Sequence, residues 1–277
     1  MLRRMQPGDL PSALKLTQAE NWPHRAEDWE FHYRLGRGWV VCGADGKVHG
    51  TALWWAYGDA LGSLGLVVVD RKQQGKGIGR QLLDAIINDA APRALQLVAT
   101  NAGLKLYRQC GFQECGGIEQ HQGVPAPSTS VAVPSGIALG TATADDVASV
   151  CDLDASAFGA PRHEIIQAVL SNGSGVVAKN DGRLKGFALV RPAGRGTLIG
   201  PVVASDEALA IALVSHLLSI NTGFIRIDVP AAAKELSSWL DAAGLVCIDR
   251  VTTMVRGERP LQHSGAQTFG LVSQAFS

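Results

Sequence analysis

The chain has 277 residues, 46% of them hydrophobic, which is enough for two domain cores. Its 25 basic and 25 acidic residues balance at a pI of about 7.0, so no basic field is present to recruit nucleic acid. No apolar run reaches the ~20 residues of a membrane span, and five cysteines without a Cys-x-x-Cys pair make neither a disulfide framework nor a zinc site.

The first residues, MLRRMQPGDLPS, lack the apolar core of a signal peptide, so reduced thiols in a cytoplasmic protein are expected. Seven scattered histidines without His-x-x-x-His spacing add to the expectation of no metal. Glu20, His24, Asp28, Glu30 and His32 follow closely on one another, each readable as a solvated helix residue, while Trp22 and Trp29 among them are readable as core packing. Trp39 to Cys42 and Val48 to Trp54 flank Asp45-Gly46, which reads as a β-hairpin.

The apolar run Leu64 to Val69 then leads into Gln74-Gly75-Lys76-Gly77-Ile78-Gly79, and a helical pattern follows from Arg80 to Ile87. The first turn of a helix leaves backbone N–H groups without partners, and the helix dipole adds partial positive charge there. Glycines remove the Cβ atoms that would hold a ligand away, and Lys72, Lys76 and Arg80 surround the point with charge. The whole reads as a site for phosphate or pyrophosphate. It is not a P-loop, because Lys76 is followed by Gly77 rather than Ser or Thr. Counted from Gly75, the sixth position is Arg80, so the dinucleotide fingerprint fails as well. A second strand-like run, Ala94 to Thr100, precedes Asn101 and the segment Tyr107-Arg-Gln-Cys-Gly111-Phe112.

The remaining pattern, Gln-x-x-Gly-x-Gly from Gln74, resembles the acetyl-CoA pyrophosphate loop of the GNAT superfamily of N-acetyltransferases. Tyr107-x-x-x-Gly111-Phe112 resembles the end of that family's core, and the order hairpin, strand, glycine loop, helix, strand, tyrosine helix matches it over roughly residues 1–120. The resemblance implies that Leu66, Val67 and Val68 offer backbone N–H groups to the thioester and pantetheine. It implies that Lys72 and the loop residues Gln74, Gly75, Lys76, Gly77, Ile78, Gly79 and Arg80 hold the pyrophosphate. Tyr107 would protonate the leaving thiolate; the alternative is an ordinary helix tyrosine. Asn101 would bond the pantetheine or cap the next helix. Trp22, Asp28, Trp29 and Trp54 are the acceptor-pocket candidates, and the general base is not visible.

Gly123 to Pro134 is rich in Pro and Ser and reads as a linker, after which the first half returns in faint form. Asp181-Gly182 falls on Asp45-Gly46, Gly186 on Gly50, and Ile199 to Ala204 on Leu64 to Val69. Leu240-Asp-Ala-Ala-Gly244-Leu245 falls on Tyr107 to Phe112. A repeat of this length is a duplicated domain. The glycine loop is replaced by Ser205-Asp206-Glu207, whose carboxylates would repel a pyrophosphate, and the tyrosine position is Leu240. The chain thus resembles a bacterial subgroup of acetyltransferases with an additional, degenerate C-terminal GNAT-like domain.

The expected fold class is α/β (α+β), with two tandem GNAT-like domains, each a mixed, mostly antiparallel sheet flanked by helices. Their expected spans are 1–122 and 136–277, joined by a linker at 123–135. The resemblance implies an acetyl-CoA-dependent N-acetyltransferase acting on a small-molecule amine, without nucleic acid or membrane partners. It would be a monomer with an internal pseudo-dimer, or a homodimer. The alternative from another class is a non-catalytic acyl-CoA-binding sensor or scaffold.

Overall fold

The computed structural model describes residues 1–126, 131–260 and 265–277. Residues 127–130, inside the expected linker, lie outside the described residues. The first half runs β1 (Leu2–Arg4), α1 (Leu10–Ala19), α2 (Ala26–Leu35), β2 (Arg37–Cys42), β3 (Val48–Tyr57) and β4 (Leu61–Val69). It continues with α3 (Ile78–Ala90), β5 (Ala94–Ala99), α4 (Leu104–Gln109) and β6 (Gln113–Gly123). The second half repeats this order as β7 (Ala138–Thr141), α5 (Val147–Phe158), α6 (His163–Ser171), β8 (Ser174–Asn180), β9 (Arg183–Ala193) and β10 (Gly196–Ala204). Then come α7 (Glu207–Ile220), β11 (Ile225–Pro230), α8 (Lys234–Ala242), β12 (Val246–Arg256) and an extra strand, β13 (Gln267–Gly270).

Both hairpins form where Asp-Gly marks them. Asp181 and Gly182 both have positive φ, 46° and 76°, the conformation a two-residue turn needs to match strand twist. The first hairpin has a longer loop, closed by Gly43 N–H donating to Lys47 O at 2.9 Å.

The strands make one 13-stranded sheet, mixed and mostly antiparallel, and the halves exchange their last strands. β12 of the second half pairs with β5 of the first, and β6 of the first half pairs with β11 of the second. β6 and β12 pair with each other at the centre. On one face, α3 lays Ile78, Leu82, Leu83 and Ile86 over Trp54, Leu64, Leu95 and Leu97. The opposite face is a core common to both halves, in which Trp29, Phe31, Trp55 and Tyr57 pack with Phe158, Phe187, Val203 and Phe276.

Candidate active site

In each half a parallel strand pair opens into a wedge. β4 and β5 pair only at Leu61–Ser63 with Ala94–Gln96, and among the described residues no other strand enters between Leu66–Val69 and Leu97–Ala99. A bulge shapes the β4 side. Thr51 faces Val68 and Leu53 faces Gly65, so Leu66 and Val67 together oppose Ala52. Leu66 takes φ of +52°, a left-handed conformation that costs a branched residue on the order of 1–3 kcal/mol, and Thr51 Oγ1 donates to its carbonyl at 3.1 Å.

Beyond the wedge stands the glycine loop. Asp70 caps a short 3₁₀ turn by accepting from Lys72 N at 3.0 Å. Gly75 and Gly77 have φ of +77° and +80°, and a Cβ at either would meet nothing within 4 Å. The ground for glycine here is therefore conformational, and the space before the α3 N-terminus is open. Gln74 Nε2 donates to Val69 O at 3.2 Å, tying the loop back to β4. Lys72, Lys76 and Arg80 are all exposed at this end. Arg80 also pairs with Asp84 at 2.9 Å on the solvent side. These residues fit a pyrophosphate, since the helix end carries no side-chain cap of its own.

The second half has the same frame with each feature closed. The β10 bulge consists of Gly200 and Pro201, opposite Leu189, and proline offers no N–H. β13 pairs with β10 at Val202–Ala204, inside the second wedge. Asp206 caps α7 by accepting from Leu209 N at 2.9 Å, so a carboxylate already occupies that helix end.

Tyr107 is buried, and its ring meets Phe112 edge-on at 5.9 Å. Burial pushes its pKa above the ordinary tyrosine value, so the hydroxyl keeps its proton. Asn101 is exposed, and the N-cap of α4 is Gly103, so Asn101 is not the cap of that helix.

A cavity of about 300 Å³ joins the wedge to the second half. Gly65, Leu66, Val98 and Thr100 line it from the wedge, Trp22, His24, Asp28 and His32 from the first-half helices, and Arg191, Arg195 and Arg226 from the second half. Trp22 and Asp28 thus meet as expected candidates. Trp29 and Trp54 do not line the cavity. Trp29 is fully buried, with Nε1 donating to Thr17 Oγ1 at 3.1 Å. Trp54 faces α3, on the other side of the sheet, and donates to Asp89 Oδ2 at 2.7 Å. Arg162 lies away from this lining, paired with Asp154 at 2.7 Å with both side chains fully buried.

The chain's last described residues complete the cavity wall. Ser273, Gln274 and Ala275 line it, and Ser63 Oγ donates to Ala275 O at 2.8 Å. A Cβ on Gly65 would approach Ala275 Cα to 2.9 Å, so a larger residue at 65 would displace this segment. Next to it, the Phe276 ring stacks on His32 at 4.8 Å and 9°.

His32 Nδ1 lies 2.5 Å from Asp28 O, which fixes a neutral tautomer with Nδ1–H donating, and among the described residues Nε2 has no partner. Burial, then the charges of Arg191 and His24, pull its pKa down to about 3. The unfolded chain therefore binds a proton near pH 6.5 that the folded chain refuses. This stabilisation is complete above the unfolded value and is lost as pH falls toward 3. His32 alone should cost about 2 kcal/mol of stability between pH 7 and pH 5. His24, held down to about 4 by burial, adds in the same direction. Denaturant titrations at both pH values should show the loss, and His32→Phe should reduce it; an equal loss in the variant would assign the effect elsewhere.

Glu119, His121 and Cys247 also converge, with ligand atoms within 4.8 Å of one another. His121 already uses both nitrogens, toward Leu245 O at 2.9 Å and Ser237 Oγ at 3.0 Å. Arg250 and Lys234 neutralise Glu119 at 3.1 and 3.5 Å. The cluster is a satisfied polar network without a free donor set for an ion.

Comparison with known proteins agrees with this architecture. Two acetyltransferase (GNAT) domain families match, one over residues 35–114 and one over residues 150–270. An uncharacterized N-acetyltransferase of Bacillus subtilis, YitH, is 27% identical over 270 residues, covering 95% of this chain and 93% of that protein. A crystal structure from Pyrococcus horikoshii superposes with a TM-score of 0.80 at 18% identity, covering 100% of this chain and 95% of that one. A tandem GNAT protein from the clavulanic acid biosynthesis pathway superposes with a TM-score of 0.62 at 16% identity, covering 92% and 97%. With one GNAT match in each half and a single sheet uniting them, the chain is a tandem-domain member of the GNAT acetyltransferases, an acyltransferase family that uses acetyl-CoA.

Proposed function

We propose that the chain moves an acetyl group from acetyl-CoA directly to the primary amine of a small molecule, with one competent site, in the first half. The observation that carries this reading is the asymmetry of the wedges. The first is open and ends at an uncapped helix with Gly75 and Gly77 before it. The second is filled by β13 and ends at a helix capped by Asp206.

Lys72, Gln74, Gly75, Lys76, Gly77, Ile78, Gly79 and Arg80 would hold the pyrophosphate through backbone N–H groups and positive charge. Acetyl-CoA supplies an acyl group on a thioester, activated toward attack by a free amine. The backbone of Leu66, Val67 and Val68 would donate to negative charge developing on the acyl oxygen, a contribution of roughly 3 kcal/mol per donor. The bulge takes Leu66 and Val67 out of register with β3 while Val68 stays opposite Thr51, and a backbone donor for the acyl oxygen would be the use that accounts for a strained Leu66. Tyr107, uncharged at neutral pH and with no hydrogen-bond partner for its hydroxyl among the described residues, would return a proton to the departing sulfur. Asn101, exposed and not engaged as a cap, would bond the pantetheine arm. Trp22 and Asp28 would border the acceptor amine in the cavity.

Release of coenzyme A thiol from acetyl-CoA across a panel of primary amines tests the reaction. Acetyl-CoA binding without thiol release for any amine would favour an acyl-CoA sensor instead. Tyr107→Phe is expected to lower kcat by about 10²-fold, within the usual range for a general acid, while acetyl-CoA affinity by calorimetry stays within threefold. An unchanged kcat would remove Tyr107 from the proton transfer.

A further inference from the structure

The cavity contains a buried cation with nothing adequate to bind. Arg191, near the end of β9, is only 3% exposed. Its Nη1 donates to Pro192 O at 3.3 Å, and among the described residues its Nε has no acceptor. The nearest carboxylate oxygen, Asp28 Oδ1, is 3.9 Å away, beyond hydrogen-bond reach. Asp28 is also already committed, accepting from Arg25 N at 2.9 Å, Arg25 Nη2 at 3.0 Å and Gly194 N at 3.0 Å. A guanidinium buried with an unused donor is costly to fold around unless a ligand completes it. Burial pulls its pKa only to about 10, so it is charged at neutral pH. Its guanidinium carbon lies over the Phe31 ring, 4.5 Å from the centroid, and a guanidinium so held offers its N–H fork to a planar anion such as a carboxylate.

The other charges of the cavity do not answer it. Arg226 is paired bidentately with Asp228 at 2.9 Å. Arg195 adds a second cation, and among the described residues it has no ion pair. Asp249, the remaining carboxylate of the lining, is exposed on β12 and accepts from Arg250 N at 2.9 Å. The excess within the cavity is positive. His32, in the same lining, has a bare acceptor, Nε2, without a donor among the described residues. Among the described residues, His24 Nδ1 is a second buried ring nitrogen without a partner, so one unmet donor that favours a carboxylate and two unmet imidazole nitrogens belong to residues lining a single space.

We infer that the acceptor is an amino acid or a closely related amino carboxylate, whose carboxylate is received by Arg191 of the second half and whose amine is turned toward His32 and the first wedge. This rests on the acetyl-transfer reading and gives the degenerate half its role: it supplies the receptor for the acceptor while the first half supplies the cofactor site. Arg191 acts here in binding and specificity, and no bond changes at it.

The test compares each of a set of amino acids with its primary amide and with the amine lacking the carboxylate. Wild-type protein should prefer the acids by about 10²-fold in kcat/KM, the worth of a charged hydrogen-bonded pair. In Arg191→Met that preference should collapse through KM rather than kcat, with acetyl-CoA affinity within threefold of wild type. Methionine keeps the aliphatic stem without the charge, and circular dichroism verifies its folding, since removing one member of a buried charge pair lowers stability. If it does not fold, Arg191→Lys keeps the charge but not the planar fork and should lose most of the same preference. Amides or simple amines that match the acids, or a fall in kcat shared equally by acids and amides, would overturn the inference while leaving acetyl transfer intact. If no amine is acetylated, calorimetry of the amino acids with the acetyl-CoA-loaded protein still decides: carboxylate-dependent binding lost in Arg191→Met supports it, and no binding overturns it.

Discussion

Replacing Gly77 with Asp is expected to abolish acetyl-CoA binding by the whole chain rather than to halve it, with affinity falling at least about 100-fold, roughly 3 kcal/mol. Gly77 precedes α3 with φ of +80°, a conformation that costs an ordinary residue about 1–2 kcal/mol. A Cβ there meets no atom within 4 Å, so no packing is lost and the fold should survive with a modest drop in Tm. The damage falls on the ligand. A carboxylate at this point competes with a pyrophosphate for the first-turn N–H groups and repels its charge. Asp206 shows what such a residue does in this protein, since it caps α7 by taking Leu209 N for itself. The second half gives no fallback, because Pro201 removes a bulge N–H and β13 lies in the wedge. Calorimetric titration of acetyl-CoA into Gly77→Asp, with circular dichroism to verify folding, checks this. A residual site of near wild-type affinity would mean that the second half binds cofactor as well.

The glycine loop, the two hairpins and the duplication were legible because each depends on local chemistry. Asp-Gly turns, a glycine pair before an amphipathic helix and apolar runs of strand length declare themselves over a few residues. What stayed hidden depends on partners far apart in the chain. β6 and β12 have nothing in their own sequences to say that each would pair across the halves. Trp54 and Trp55 are neighbours, yet strand alternation sends Trp54 toward α3 and Trp55 toward His32, whose carbonyl accepts its Nε1–H at 3.0 Å. The cluster of first-half tryptophans therefore did not mark one pocket. Arg191 did leave a signal that could have been read, a lone charge at the end of the apolar run Gly186 to Val190. His32 left none, since its unpaired Nε2 exists only because Asp28 O takes the other nitrogen and Phe276 covers the ring.

Phe276→Ala is expected to destabilise the protein by about 3–5 kcal/mol, the range for removing a fully buried phenylalanine. The ring packs against Trp55 at 4.7 Å and Phe31 at 5.8 Å besides His32, an aromatic cluster that no smaller side chain would refill. The backbone at this point is also bound to the first half, with Tyr57 Oη donating to Phe276 O at 2.7 Å and Gln96 Nε2 donating to Ser277 O. These contacts join the last residues of the chain to β3, β4 and β5, so loosening them acts on the cavity wall and on the joint between halves at once. Denaturant unfolding should show the lower midpoint in a single transition, because both halves contribute to the core that contains Phe276. Val246→Ala, at a side chain 53% exposed on β12, is the control and should stay within about 0.5 kcal/mol of wild type. Catalysis should fall with stability, since Ala275 and Gln274 line the cavity beside the substituted residue. A variant with unaltered midpoint and full activity would show that the segment does not hold the site together.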